Sequence, residues 1–158
     1  MRLSTRARYG VRAMLDLALL AGEGPVNLRA MSGRQDISAD YLEQLLRRLR
    51  KAGLARSVRG PKGGFLLAKS AADIRIWEIV DALEERVAPA RCVNNLVGRK
   101  APRKPCLRMS DCATHVLWGG LAKQIRAFLE AKTLQDLAED ARRLCDRTEF
   151  GEPIVFEI

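Results

Sequence analysis

The chain has 158 residues, enough for one compact domain or a small domain with an appendage but not for two separate cores. Its formal charge of +9 belongs to residues 1–70, which hold 14 Lys/Arg against 5 Asp/Glu, whereas residues 71–158 hold 14 against 14. No apolar run approaches the roughly 18 residues of a membrane span, and the opening MRLSTRARYG is charged without the apolar core of an export signal, so a soluble, cytoplasmic protein with no membrane partner is expected.

Charge concentrated on one short segment is either a solvated basic face or the footprint of a polyanion partner, because each cation that neutralises a phosphate releases counterions. The predicted elements favour nucleic acid. A first helix over residues 4–21 places Ala7, Val11, Met14, Leu15 and Ala18 on one face and stops at Gly22, Gly24 and Pro25. A short helix over residues 27–35 follows, then a tight turn at Asp36, Ile37 and Ser38. Ser38 is placed to cap a third helix, in which Leu42, Leu45, Leu46 and Leu49 form an apolar stripe ending at Gly53. Helix, short turn, helix is the layout of a helix-turn-helix.

Off the leucine stripe lie Ala39, Asp40, Tyr41, Glu43, Gln44, Arg47 and Arg48. This chemistry suits base edges, since Gln pairs with adenine, Arg with guanine, and a carboxylate accepts from the cytosine amino group. An ordinary amphipathic helix with a solvated face has the same pattern, and the next segment decides between them. Residues 54–58 and 65–67 read as short strands joined by Arg59-Gly60-Pro61-Lys62-Gly63-Gly64, a hairpin with a basic glycine-rich tip. As a winged-helix wing, that tip reaches a minor groove, where Arg59 and Lys62 meet strong negative potential. It lacks the spacing of a nucleotide-binding phosphate loop.

Beyond the wing, Ile76, Ile79, Val80 and Leu83 predict a short helix ending before Pro89. The longest helix is expected over residues 112–132, with Leu117, Leu121, Ile125, Phe128 and Leu129 along one side. Thr133 with Asp136 marks a cap restarting the chain as a last helix to about Cys145. The long stripe suits packing between two copies, as two-fold DNA readers require.

Three of the four cysteines and the only histidine fall within 24 residues: Cys92, Cys106, Cys112 and His115. Arg91, Arg99, Lys100, Arg103, Lys104 and Arg108 surround them, offsetting thiolate charge. Three thiolates and an imidazole suit either a closed tetrahedral zinc site or an iron-sulfur cluster, and the spacing does not choose. Cys145 lies outside the group and reads as an ordinary helix residue. No nucleophile, base and orienting group form a catalytic set, so no enzyme is expected.

The opening MRLSTRARYGVRAMLDLAL, the run ISADYLEQLLRRLRKAGL, the wing SVRGPKGGFLLAK and the segment Cys112-Ala-Thr-His115-Val-Leu-Trp118 together resemble the winged-helix repressor family of the iron-sulfur regulator IscR. The resemblance spans about residues 1–132. It implies a mainly α fold with a small β wing: a winged helix-turn-helix domain over residues 1–85, a cluster loop over 86–115, a dimerisation helix and its successor over 112–145, and a tail over 146–158. It further implies a homodimeric repressor bound to a double-stranded DNA operator. Ser38, Tyr41, Glu43, Gln44 and Arg47 would contact DNA from the recognition helix, and Arg59, Gly60 and Lys62 from the wing. Cys92, Cys106, Cys112 and His115 would hold a [2Fe-2S] cluster. The thirteen residues between Cys92 and Cys106 exceed the family interval and imply an insertion. A nitric-oxide-sensing [4Fe-4S] relative and a zinc-stabilised repressor are the alternatives; Cys-x-x-His at 112–115 favours three cysteines and one histidine.

Overall fold

The computed structural model describes residues 4–83, 88–97, 106, 108 and 110–147. In chain order the elements are α1 (Thr5–Leu19), α2 (Leu28–Gln35), α3 (Ala39–Lys51), β1 (Ala55–Val58), β2 (Gly64–Leu67), α4 (Ile76–Ala82), α5 (Ala113–Ala131) and α6 (Leu134–Arg147). Short 3-10 helices lie at Ala71–Asp73 and Arg91–Val97. The mainly helical fold with one small antiparallel sheet is the one expected. The C-terminal segment GEPIVFEI and the loop cations Arg99, Lys100, Arg103 and Lys104 lie outside the described residues.

Helix α1 is the hub. Its apolar stripe predicted one buried face, yet every residue from Ala13 to Ala18 is buried, because α2, α3, α4, α6 and β2 pack around it. Ser4 caps it by accepting from the Ala7 N–H at 3.3 Å. Among the described residues Asp16 is the one buried charged side chain. Burial of an isolated carboxylate is costly, and here Arg34 answers it twice, Nη2 to Oδ2 at 2.7 Å and Nε to Oδ1 at 3.0 Å, while Gln35 Nε2 donates at 3.2 Å. Arg12 returns the link, donating from Nη2 to the Gln35 carbonyl at 2.6 Å. Helices α1 and α2 are therefore locked across polar as well as apolar contacts.

Asn27 caps α2 by accepting from the N–H groups of Arg29 and Ala30. The turn to α3 is closed by Asp36 in the left-handed region (φ 50°) and by Ser32 Oγ donating to the Ile37 carbonyl at 2.6 Å. The four predicted leucines, Leu42, Leu45, Leu46 and Leu49, are all fully buried. Ser38 occupies the N-cap position of α3, but its side chain makes no capping hydrogen bond; only its carbonyl accepts, from Leu42 N–H at 3.0 Å. Asp40 supplies the acidic first turn that complements the helix dipole. Helix α1 ends at Leu19 rather than residue 21 and α5 starts at Ala113 rather than 112, differences of a residue or two at frayed ends.

Candidate nucleic-acid interface and cysteine group

The exposed side of α3 presents Asp40, Glu43, Gln44, Arg47, Arg50 and Lys51 to solvent, because the leucine stripe turns the opposite side into the core. Arg47 and Glu43 approach at 3.9 Å with both side chains more than half exposed, a pair too weak to withdraw either from a ligand. Tyr41 differs from its expected free position. It is half-buried and meets Tyr9 edge-on, with ring centroids 6.1 Å apart, and Arg12 lies over the Tyr9 ring at 5.6 Å. Its ring thus braces α3 against α1, leaving the hydroxyl end as the part with polar reach. Ser38 is exposed at the start of the same helix.

Two cations that were not singled out in the sequence extend this face. Gln44, Arg47, Arg48 and Lys51, with Ala52 and Ala82, line a cleft of about 590 Å³ between the ends of α3 and α4. Arg50 Nη1 donates to Ser57 Oγ at 3.1 Å, tying α3 to the first wing strand. The cationic run RRLRK was the available signal, but which of its members faces the wing follows only from the helix's rotation.

The wing pairs Ala55 with Leu67, Arg56 with Leu66, Ser57 with Phe65 and Val58 with Gly64. It is also anchored at its base: Val26 and Phe65 exchange N–H to carbonyl hydrogen bonds, both 2.9 Å. Nothing local marks that third partner, since Val26 sits alone between Pro25 and a helix cap. At the tip, Gly60 has φ +121° and the Gly63 N–H donates to the Gly60 carbonyl at 2.9 Å. A side chain at Gly63 would collide with the carbonyls of Val58 and Gly60. Only glycine permits this turn, and it leaves Arg59, Gly60, Pro61 and Lys62 exposed together.

The predicted ligands are only partly brought together. Cys112 is the N-cap of α5 and His115 stands one turn on, with its N–H donating to the Cys112 carbonyl at 2.9 Å. Cys92 is half-buried on the 3-10 helix Arg91–Val97, which packs against α5, and Cys106 is exposed. None of the four cysteines is in a disulfide among the described residues. The hydrogen bond with Thr114 Oγ1 at 3.0 Å, and then the backbone N–H of His115, hold the Cys112 thiol below its ordinary pKa. His115 Nδ1 is buried with no hydrogen-bond partner among the described residues. An orphaned imidazole nitrogen one helical turn along the chain from a thiol of lowered pKa fits the donor chemistry of a soft metal centre. Even so, among the described residues no three His, Cys, Asp or Glu side chains are gathered closely enough to hold a metal ion.

No helix of the described residues is long and apolar enough to cross a membrane. The chain is 46% identical over 140 residues to the HTH-type transcriptional regulator IscR of Photorhabdus laumondii, covering 89% of this chain and 80% of that protein. Its fold matches the solved structure of T. potens IscR with a TM-score of 0.72 at 36% identity, covering 91% of this chain and 90% of that one. It also matches CymR, the global cysteine regulator of B. subtilis, with a TM-score of 0.71 at 31% identity, covering 89% and 98%. These relatives are regulators and not enzymes. Residues 3–140 match the family profile described as Rrf2, iron-dependent transcriptional regulator. With a helix-turn-helix, an anchored basic wing and relatives of this kind over nearly its whole length, the chain belongs to the Rrf2 family of transcriptional regulators.

Proposed function

We propose that the protein is a homodimeric, cytoplasmic repressor whose grip on a double-stranded DNA operator follows the state of a [2Fe-2S] cluster held by Cys92, Cys106, Cys112 and His115. The observation that carries the reading is the orphaned, buried Nδ1 of His115, one turn from the acidified Cys112 thiol at the head of the longest helix. When bound, such a cluster supplies a redox-active group whose assembly depends on iron and sulfide. The chain's own residues do the rest. Residues 1–85 read DNA, residues 86–115 carry the ligands, and residues 112–145 join two copies, leaving 146–158 as a tail.

In this reading Gln44, Glu43 and Arg47 face base edges, Ser38 and the Tyr41 hydroxyl approach the backbone at the start of α3, and Arg59, Gly60 and Lys62 enter the minor groove. The dimer contact uses Leu117, Leu121 and Phe128. These are 61%, 41% and 64% exposed, while Ile125 and Leu129 of the same predicted stripe turn inward to the chain's own core. A row of exposed apolar side chains on one helix face is the surface a second copy covers.

Anaerobic purification followed by iron and sulfide analysis and a visible spectrum tests the cofactor. Two irons and two sulfides per chain with visible absorption are expected. A colourless protein containing zinc points to the zinc-stabilised repressor, and four irons with four sulfides to the [4Fe-4S] relative. The Cys106→Ala variant should lose the colour and change its operator affinity. An unchanged affinity after loss of the cluster would refute the sensing role while leaving the DNA reader intact.

A further inference from the structure

Helix α5 is attached to the rest of its own chain along a thin line. It buries only Gly119 and Ala122 fully, with Ile125, Arg126 and Leu129 half-buried, while Val116, Leu117, Leu121 and Phe128 stand in solvent. Apart from the 3-10 helix Arg91–Val97 that packs on it, the joint between α5 and the winged domain is at its C-terminal end. The Ile76 N–H donates to the Lys132 carbonyl at 2.9 Å and the Leu134 N–H to the Ile74 carbonyl at 2.8 Å, making an antiparallel bridge between Arg75 and Thr133.

Both sides of the bridge are closed by caps. The Thr133 N–H donates to Asp136 Oδ2 at 2.8 Å and the Asp136 N–H to Thr133 Oγ1 at 3.0 Å. Opposite, the Arg75 N–H donates to Glu78 Oε2 at 2.8 Å, and Glu78 Oε1 holds Lys69, two residues beyond the wing strand β2, at 2.7 Å. A bridge alone is a hinge. Besides the packing of the 3-10 helix Arg91–Val97, the restraint on α5 from the winged domain is Arg126, whose guanidinium lies 5.2 Å from the ring centre of the buried Trp77 on α4 and is held there by Glu130 at 2.8 Å.

We infer that Arg126 is a positioning residue for DNA recognition: by stacking on Trp77 it sets the angle at which α5 leaves the winged domain. That angle fixes the separation of the two recognition helices, and so the half-site spacing the dimer accepts. The inference rests on the reading of α5 as the dimer contact. The lever is long, because 19 residues of helix span about 28 Å and a tilt of about 10° moves the far end by about 5 Å. One base-pair step is about 3.4 Å, so a small loss of angular control is a change of register on DNA.

The test uses full-length protein and a duplex selected from a randomised library by the wild-type chain, then remade with one or two base pairs added to or removed from its centre. Arg126→Met should flatten the spacing preference by about fivefold or more while leaving affinity for a single half-site unchanged, and Arg126→Lys, which keeps a cation over the ring, should restore the preference. In a Trp118→Phe background, which leaves Trp77 as the lone indole, Arg126→Met should also shift the emission. A loss of affinity equal at every spacing would mean that Arg126 only stabilises the fold, and would overturn the inference with the dimer reading intact. Sedimentation of the wild type on the full two-half-site duplex as a single chain would overturn both.

Discussion

Replacing Gly64 with alanine tests whether the wing owes its position to its anchor on Val26. A Cβ at Gly64 would lie 2.2 Å from the Val26 carbonyl oxygen, 2.6 Å from its carbon and 3.0 Å from the Asn27 nitrogen, all backbone atoms with no flexible end to move aside. Relief requires β2 to lift from Val26, which sacrifices the two 2.9 Å hydrogen bonds between Val26 and Phe65. At about 0.5–1.5 kcal/mol each, with about 1–3 kcal/mol for forced repacking, the expected loss is about 2–6 kcal/mol of unfolding free energy. Because Asn27 also caps α2, the strain reaches the helix-turn-helix. Gly33→Ala is the matched control. Gly33 lies inside α2 with nothing within 4 Å of an added Cβ, so alanine there should stabilise by about 0.5–1 kcal/mol. Urea unfolding followed by circular dichroism measures both, and DNA titration at several salt concentrations should show a weaker, flatter salt dependence for Gly64→Ala alone. The reasoning fails if Gly64→Ala unfolds within about 0.5 kcal/mol of the wild type.

Gln44→Ala should cost about 1–3 kcal/mol at one operator position and relax preference there, whereas Lys62→Ala should weaken all duplexes alike and reduce the salt slope by about one; equal losses on specific and scrambled DNA for Gln44→Ala would contradict its assignment to a base edge. Leu121→Glu should give monomers in sedimentation without loss of the fold, since Leu121 is 41% exposed, and those monomers should bind a palindromic duplex far more weakly. The joint between α4 and α6 should loosen in acid. Hydrogen bonds from the Thr133 backbone and side chain lower the Asp136 pKa; for Glu78, partial burial raises it, but the bonds from Lys69 and from the Arg75 N–H outweigh that and leave it lowered. A carboxylate with a depressed folded pKa adds stability above its unfolded value of about 4 and loses it as pH falls through the folded value. Thermal melts of Asp136→Asn and Glu78→Gln should therefore lie below wild type near neutrality and converge on it below about pH 4; a gap that persists in acid would assign the loss to shape rather than charge.

Period and punctuation make the helix-turn-helix and the wing legible. The leucine stripe of α3, the Gly53 stop and the basic hairpin tip each have a local cause, and each stands where the sequence placed it. What escaped notice was set by distant partners. Val26 pairs with Phe65 across 39 positions, and Asp16, which looks like any polar interruption of an apolar helix, is buried because Arg34 and Gln35 reach it from α2. Tyr41 had the right position to reach a groove, but the neighbour that claims its ring, Tyr9, lies a whole helix away. The long-helix stripe predicts one face, and the structure divides it into two. At 100° per residue Leu117, Leu121 and Phe128 cluster outward while Ala122, Ile125 and Leu129 turn in, a distinction that hydrophobicity alone does not draw.

The cysteine group was legible as chemistry and not as geometry, for a related reason. Ligand residues that lie far apart in sequence are gathered by the centre they bind, since bringing thiolates together without a cation is opposed by their charge. The proposed ligands Cys112 and His115 escape that rule because a single helical turn sets their spacing. A helix start is also where backbone N–H groups favour a thiolate. The same helix ends at the Arg75–Thr133 bridge, which Glu78 and Lys69 connect to the foot of the wing. An event at Cys112 therefore needs no contact with DNA to affect it. In the function proposed above it has only to change how α5 packs, because the far end of the helix is fastened beside the helix-turn-helix and the wing.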